Sequence, residues 1–157
     1  MKVSDIMTKA VMTVKRDTSV NEVAKLMGAH DISGVPVVDD ENHVVGIITE
    51  LDLIVRNTRL EMPRFIEVMD WGRIPLERPG HVKERLQHML GTQAADIMTE
   101  KVETIDPDAA VEDLAELMVK RRFNPVPVVD AEGKLIGIVS RADLVDMMAE
   151  HIEEEAA

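Results

Sequence analysis

The residues best suited to chemistry lie in two matching stretches. They are Gly46-Ile-Ile-Thr49-Glu-Leu-Asp52 and Gly137-Ile-Val-Ser140-Arg-Ala-Asp143. Each runs from an apolar, strand-like pattern into a helix start, with a hydroxyl residue three positions before an aspartate. One use of this spacing is structural: Thr49 and Ser140 act as N-caps, and Asp52 and Asp143 complete capping boxes. Each cap contributes about 0.5–2 kcal/mol. The other use is a nucleotide site. A helix N-terminus offers free N–H groups and the positive end of a dipole, which suit phosphate. The hydroxyl adds a donor, and an ionised aspartate accepts both hydroxyls of a ribose diol. The two uses are compatible, because a cap can hold the geometry that a ligand reads.

The stretches belong to a longer internal repeat, the feature to seek first in any chain. Asp5-Ile-Met-Thr8 returns as Asp96-Ile-Met-Thr99, an offset of 91 residues. The same offset carries Val35-Pro-Val-Val-Asp39 onto Val126-Pro-Val-Val-Asp130, and Val20, Ala24, Leu26 and Met27 onto Val111, Ala115, Leu117 and Met118. No gap is needed from Asp5 to Leu53.

Each repeat reads β-α-β-β-α. A short strand is expected at 11–14 and again at 102–105. Val20, Val23, Ala24 and Met27 then form one apolar helical stripe, repeated by Val111, Leu114, Ala115 and Met118. Ser19 with Glu22 makes a capping box at the first helix, and Asp108 is expected to cap the second, where Ala110 stands in place of Ser19. Two strands follow, at 35–39 and 44–49, then at 126–130 and 135–140. Their near-continuous Val and Ile content predicts burial on both faces. A last helix opens after Thr49 and after Ser140. The fold class is therefore α/β (α+β): two β-α-β-β-α repeats packed about a pseudo-twofold axis, with a helical insert between them. The expected divisions are 1–56 for the first repeat, 57–93 for the insert, 94–148 for the second repeat and 149–157 for an acidic tail. In the insert, Phe65, Val68 and Met69 suggest a helix opened by Pro63 and ended by Gly72, and Val82, Leu86, Met89 and Leu90 suggest another.

Composition narrows the function. Hydrophobic residues make up 45% of the 157, and aromatics 2%, so the core is aliphatic with eleven Met residues to draw on. The formal net charge of −12 argues against a nucleic-acid or anionic-membrane partner. With no cysteine there is no disulfide, thiolate catalysis or Cys-based zinc site. No signal-peptide pattern and no membrane-spanning run is visible, so a cytoplasmic location is expected. No P-loop, Ser/His/Asp signature or His-Glu-x-x-His motif points to an enzyme. His81 and His88 on the insert suit a surface helix better than a metal site, and Trp71 and Phe65 suit core anchors better than base stacking.

Taken together, Asp-Ile-Met-Thr, Val-Pro-Val-Val-Asp and Gly-Ile-x-Ser/Thr-x-x-Asp, each present twice, resemble the CBS domain pair, or Bateman module. The resemblance covers residues 3–56 and 94–148. It implies a non-catalytic regulatory module that binds AMP, ADP or ATP; some members take S-adenosylmethionine, NAD or cyclic dinucleotides. It also implies a homodimer and a separate effector protein. Carried over by position, one cleft uses Ser140, Arg141 and Asp143, faced by Asp5, Met7, Ile32, Ser33 and Gly34. The other uses Thr49 and Asp52, with Asp96, Met98, Phe123, Asn124 and Pro125. Arg141 stands where the first repeat has Glu50, and a guanidinium at a helix start favours phosphate. Pro125 lacks the N–H that Gly34 offers. The Ser140/Asp143 cleft is therefore the favoured one. The competing reading is a ligand-free structural dimerisation module.

Overall fold

The computed structural model of the chain describes residues 1–58, 65–68, 72–75 and 92–156. The Val-Pro-Val-Val runs form strands because their branched side chains pack well on a pleated surface. β1 (Gly34–Val38) pairs antiparallel with β2 (Val44–Thr49), and every residue of β1 is buried. In the second repeat β5 (Val126–Val129) pairs with β6 (Leu135–Val139). Asn42 and Gly133 sit at φ 66° and 81° in the matching turns, a left-handed conformation that Asn and Gly tolerate. The strands expected at 11–14 and 102–105 shrink to single parallel bridges, Val14 to Val37 and Ile105 to Val128. Each edge segment keeps one pair of hydrogen bonds, such as Val38 N–H to Val14 O at 3.0 Å.

The helices cover these sheets. α2 (Val20–His30) starts at Ser19, whose hydroxyl accepts the Glu22 N–H at 3.2 Å. It buries Val23 and Met27, but Ala24 is exposed, so its inner stripe runs through Leu26 rather than Ala24. α5 (Val111–Arg121) buries Val111, Leu114 and Met118. Ala110 gives it no side-chain cap, and Asp108 does not stand in: its carboxylate takes Lys2 Nζ at 2.7 Å instead. α3 (Glu50–Thr58) and α6 (Arg141–Ala156) follow β2 and β6 directly, and α6 continues through the acidic tail.

Two short helices were not expected. α1 (Val3–Ile6) and α4 (Ala94–Ile97) form within the Asp-Ile-Met-Thr segments. Asp5 Oδ2 accepts the Lys2 N–H at 2.8 Å, and Asp96 Oδ2 the Gln93 N–H at 2.9 Å. Each helix serves the other repeat. Val3 is fully buried with Leu114, Val126 and Val139 of the second repeat. Ala94 and Met98 join Val23, Val35 and Ile48 of the first. Thr8 then pairs with Ile138, and Thr99 with Ile47, so each sheet is extended by the opposite repeat.

Part of the insert differs from its expected helix. β3 (Phe65–Val68) and β4 (Gly72–Pro75) form an antiparallel hairpin with Ile66 opposite Ile74 and Glu67 opposite Arg73. The β-branched Ile66 and Ile74 stand directly opposite each other, a pairing that supports strands. The expected helix at 82–90, and with it His81 and His88, lies outside the described residues, as does Trp71.

Candidate functional site

The duplicated hydroxyl–aspartate motifs fold as capping boxes. Ser140 donates its N–H to Asp143 Oδ2 at 2.6 Å and its hydroxyl to the same oxygen at 2.9 Å. Thr49 repeats this on Asp52 Oδ2, at 2.8 and 3.1 Å. In both carboxylates Oδ1 accepts nothing from the described residues and stays available to a ligand. The hydroxyls are differently placed. A serine or threonine has one O–H to give, and here it goes to the aspartate.

The first N–H of each helix is also taken. Arg141 donates its N–H to Asn124 Oδ1 at 2.8 Å, and Glu50 donates its own to the Ser33 carbonyl at 3.0 Å. In α6 the next N–H, of Ala142, has no acceptor among the described residues. The anion-binding capacity of this helix end thus rests on Ala142 N–H and on the exposed Arg141 guanidinium, which makes no ion pair among the described residues.

These groups edge a cavity of about 420 Å³. It is walled by Thr8 to Met12 without Lys9, by Asp31 to Gly34, by Glu50, by Asn124 and Pro125, and by Ile138 and Ser140 to Asp143. A second cavity of about 330 Å³ involves Thr49, Asp52, Thr99, Arg122 and Phe123, with Ile47 and Leu51. Ser33, Glu50, Asn124 and Arg141 line both.

Of the residues expected in the favoured cleft, Ser140, Arg141, Asp143, Ile32, Ser33 and Gly34 come together in the larger cavity. Asp5 and Met7 do not line it. Asp5 caps α1, and Met7 lies against Gly137, where it packs into the second repeat's core. Of the second set, Thr49, Asp52, Phe123 and Asn124 line the smaller cavity. Asp96 caps α4, and Met98 lies against Gly46. Pro125 lines the larger cavity instead, with its ring against Gly34.

Several wall residues lay outside the two expected site sets: Thr8, Ala10, Val11 and Met12 in the larger cavity, and Thr99 and Arg122 in the smaller. The available signal was the end of Asp-Ile-Met-Thr itself, since Thr8 and Thr99 are equivalent positions. The charge asymmetry inferred from Arg141 and Glu50 also changes form. Both residues face both cavities, while Arg122 adds a cation to the smaller one and Asp31 an anion to the larger.

A protein built of two intertwined β-α-β-β-α repeats, with a cleft closed by segments of both, is a paired-repeat module. The CBS domain model matches residues 3–56 and 94–150, and the chain belongs to the CBS domain family. It is 35% identical over 157 residues to an uncharacterized protein of Methanocaldococcus jannaschii, covering 94% of this chain and 91% of that one. Among solved structures it resembles the CBS-pair protein CBSX2 of Arabidopsis thaliana in complex with AMP. There the TM-score is 0.71 at 27% identity, over 95% of this chain and 96% of that one. It also resembles the CBS domain pair of protein MJ0100 in complex with 5′-methylthioadenosine and S-adenosyl-L-methionine. In that case the TM-score is 0.70 at 27% identity, covering 96% and 98%. Among the described residues no helix is long and apolar enough to cross a membrane.

Proposed function

We propose that the chain is a non-catalytic sensor that binds adenosine-containing ligands in the clefts between its repeats and signals to a separate partner protein. The observation that carries this reading is the open Oδ1 of Asp143, held rigid by two hydrogen bonds at the edge of the larger cavity. A carboxylate fixed in this way is ready to accept ribose hydroxyls. The apolar wall of Ala10, Val11, Met12, Ile32 and Pro125 suits the faces of a purine. Arg141 and the Ala142 N–H suit a phosphate. The relatives bound to AMP and to S-adenosyl-L-methionine support the same ligand class. AMP, ADP and ATP are the first choices for this chain.

The clefts are built from both repeats, so a ligand that binds one arrangement of them better shifts the population toward it. A partner would read that shift. Self-association into a dimer fits the outer face of α6, where Val145, Met148 and Ile152 are 63%, 58% and 66% exposed at helical spacing.

Thermal melts with AMP, ADP, ATP and S-adenosylmethionine test the reading. A ligand that binds the native state stabilises it by about 2.7 kcal/mol at a hundred times its dissociation constant. Asp143→Ala should weaken AMP binding to the larger cleft at least tenfold, since a charged acceptor contributes about 1.5–3 kcal/mol. Failure of all four compounds to shift the melt would favour a ligand-free scaffold.

A further inference from the structure

The four residues shared by the two clefts are two equivalent pairs. Ser33 corresponds to Asn124, and Glu50 to Arg141, each at the repeat offset. Shared walls made of equivalent positions place the seam between the clefts at the internal twofold. The seam is anchored, because Ser33 O holds the Glu50 N–H and Asn124 Oδ1 holds the Arg141 N–H. Its two charged side chains are exposed and unpaired among the described residues. The twofold is therefore broken in charge at the seam, with one cation and one anion where symmetry would put two alike.

We propose that this seam couples the clefts negatively for anionic ligands, so that a phosphorylated adenosine in one lowers the affinity of the other for a second. The proposal rests on the nucleotide-binding reading above. A first phosphate, in either cleft, draws on Arg141. A second then finds that guanidinium engaged, the first phosphate nearby and Glu50 rather than another cation at the seam, and in the smaller cleft only Arg122 remains as a lining cation. Like charges brought close together repel, and because the seam is exposed the repulsion weakens with ionic strength. The coupling is reciprocal and should reach about tenfold, within the usual range for linked sites. An uncharged ligand does not feel it.

Calorimetric titration of the full chain with AMP, and separately with adenosine, tests this. Asp143→Ala disables the larger cleft. The smaller cleft of that variant should bind AMP about tenfold tighter than the second AMP binds the wild type. Adenosine should show no such difference, and Arg141→Gln in both backgrounds should remove it for AMP. If Asp143→Ala does not fold, Ala10→Trp fills the larger cleft from its apolar wall and gives the same comparison. Equal affinities for AMP in variant and wild type, or a difference that persists with adenosine, would overturn the coupling while leaving nucleotide binding intact. No binding of either compound to the wild type would overturn both.

Discussion

At the scale of single residues, glycines separate positions that serve packing from one that does not. A Cβ on Gly34 would meet Pro125 Cγ at 2.9 Å and approach the Ile48 carbonyl at 3.4 Å. A proline ring cannot swing aside, so Gly34→Ala should destabilise by about 1–3 kcal/mol and deform the wall of the larger cleft. Gly28 lies inside α2 with nothing within 4 Å of its added Cβ. Gly28→Ala should stabilise by about 0.5–1 kcal/mol. Urea denaturation of the two variants checks both signs, and a Gly34→Ala as stable as the wild type would contradict the close approach. Ser140 and Asp143 were legible in the sequence because hydroxyl, aspartate and helix start are local to one another. What could not be read was which partner uses the hydroxyl proton. That depends on a rotamer, and the hydroxyl donates its hydrogen bond to Asp143 Oδ2.

At the scale of elements, the hairpins and long helices follow from periodicity and turn residues that act locally. The miss at 11–14 has a different cause. Val14 is buried, but only one residue reaches β1 before the chain turns, so the apolar pattern overstates the strand. The hairpin turns carry the clearest electrostatic feature. Asp39 is held below the ordinary carboxylate range, first by the His43 backbone N–H, which its Oδ1 accepts at 2.9 Å, and further by the Glu41 N–H and the His43 ring. A carboxylate with a depressed folded pKa contributes stability above its unfolded pKa, and that contribution is lost as pH falls through the folded value. Wild-type melting temperature should therefore drop on acidification below about pH 4. Asp39→Asn should start lower at neutral pH and converge with the wild type in acid. Parallel melting curves across that range would show that Asp39 plays no such part.

At the scale of the whole molecule, the exchange of α1 and α4 decides what folds as a unit. The first repeat's core is completed by Ala94 and Met98, and the second's by Val3 and Met7. The hairpin tips add a further tie: Asn42 Nδ2 donates to the Leu135 carbonyl at 2.9 Å, and His43 Nε2 lies 3.1 Å from the Glu132 carbonyl oxygen. The 91-residue offset revealed two repeats but not this exchange, because a repeat pattern does not say which copy a segment packs against. The resemblance set Asp5 and Met7 against the second repeat, the copy that Met7 does pack on, but as cleft walls, whereas Asp5 caps a helix and Met7 fills a core. An isolated half exposes the surface its partner should cover, and burying one Val, Leu or Met side chain is worth about 1.5–3 kcal/mol. Several such losses consume most of the stability of a small domain. Residues 1–56 and 94–157, produced separately, should each lack a cooperative melt as monomers, and mixing them should restore one. A cooperative transition from monomeric 1–56 alone would mean that its sheet and α2 suffice without the second repeat. The clefts, which need walls from both halves, should then appear only on mixing, so AMP binding and the cooperative melt should return together.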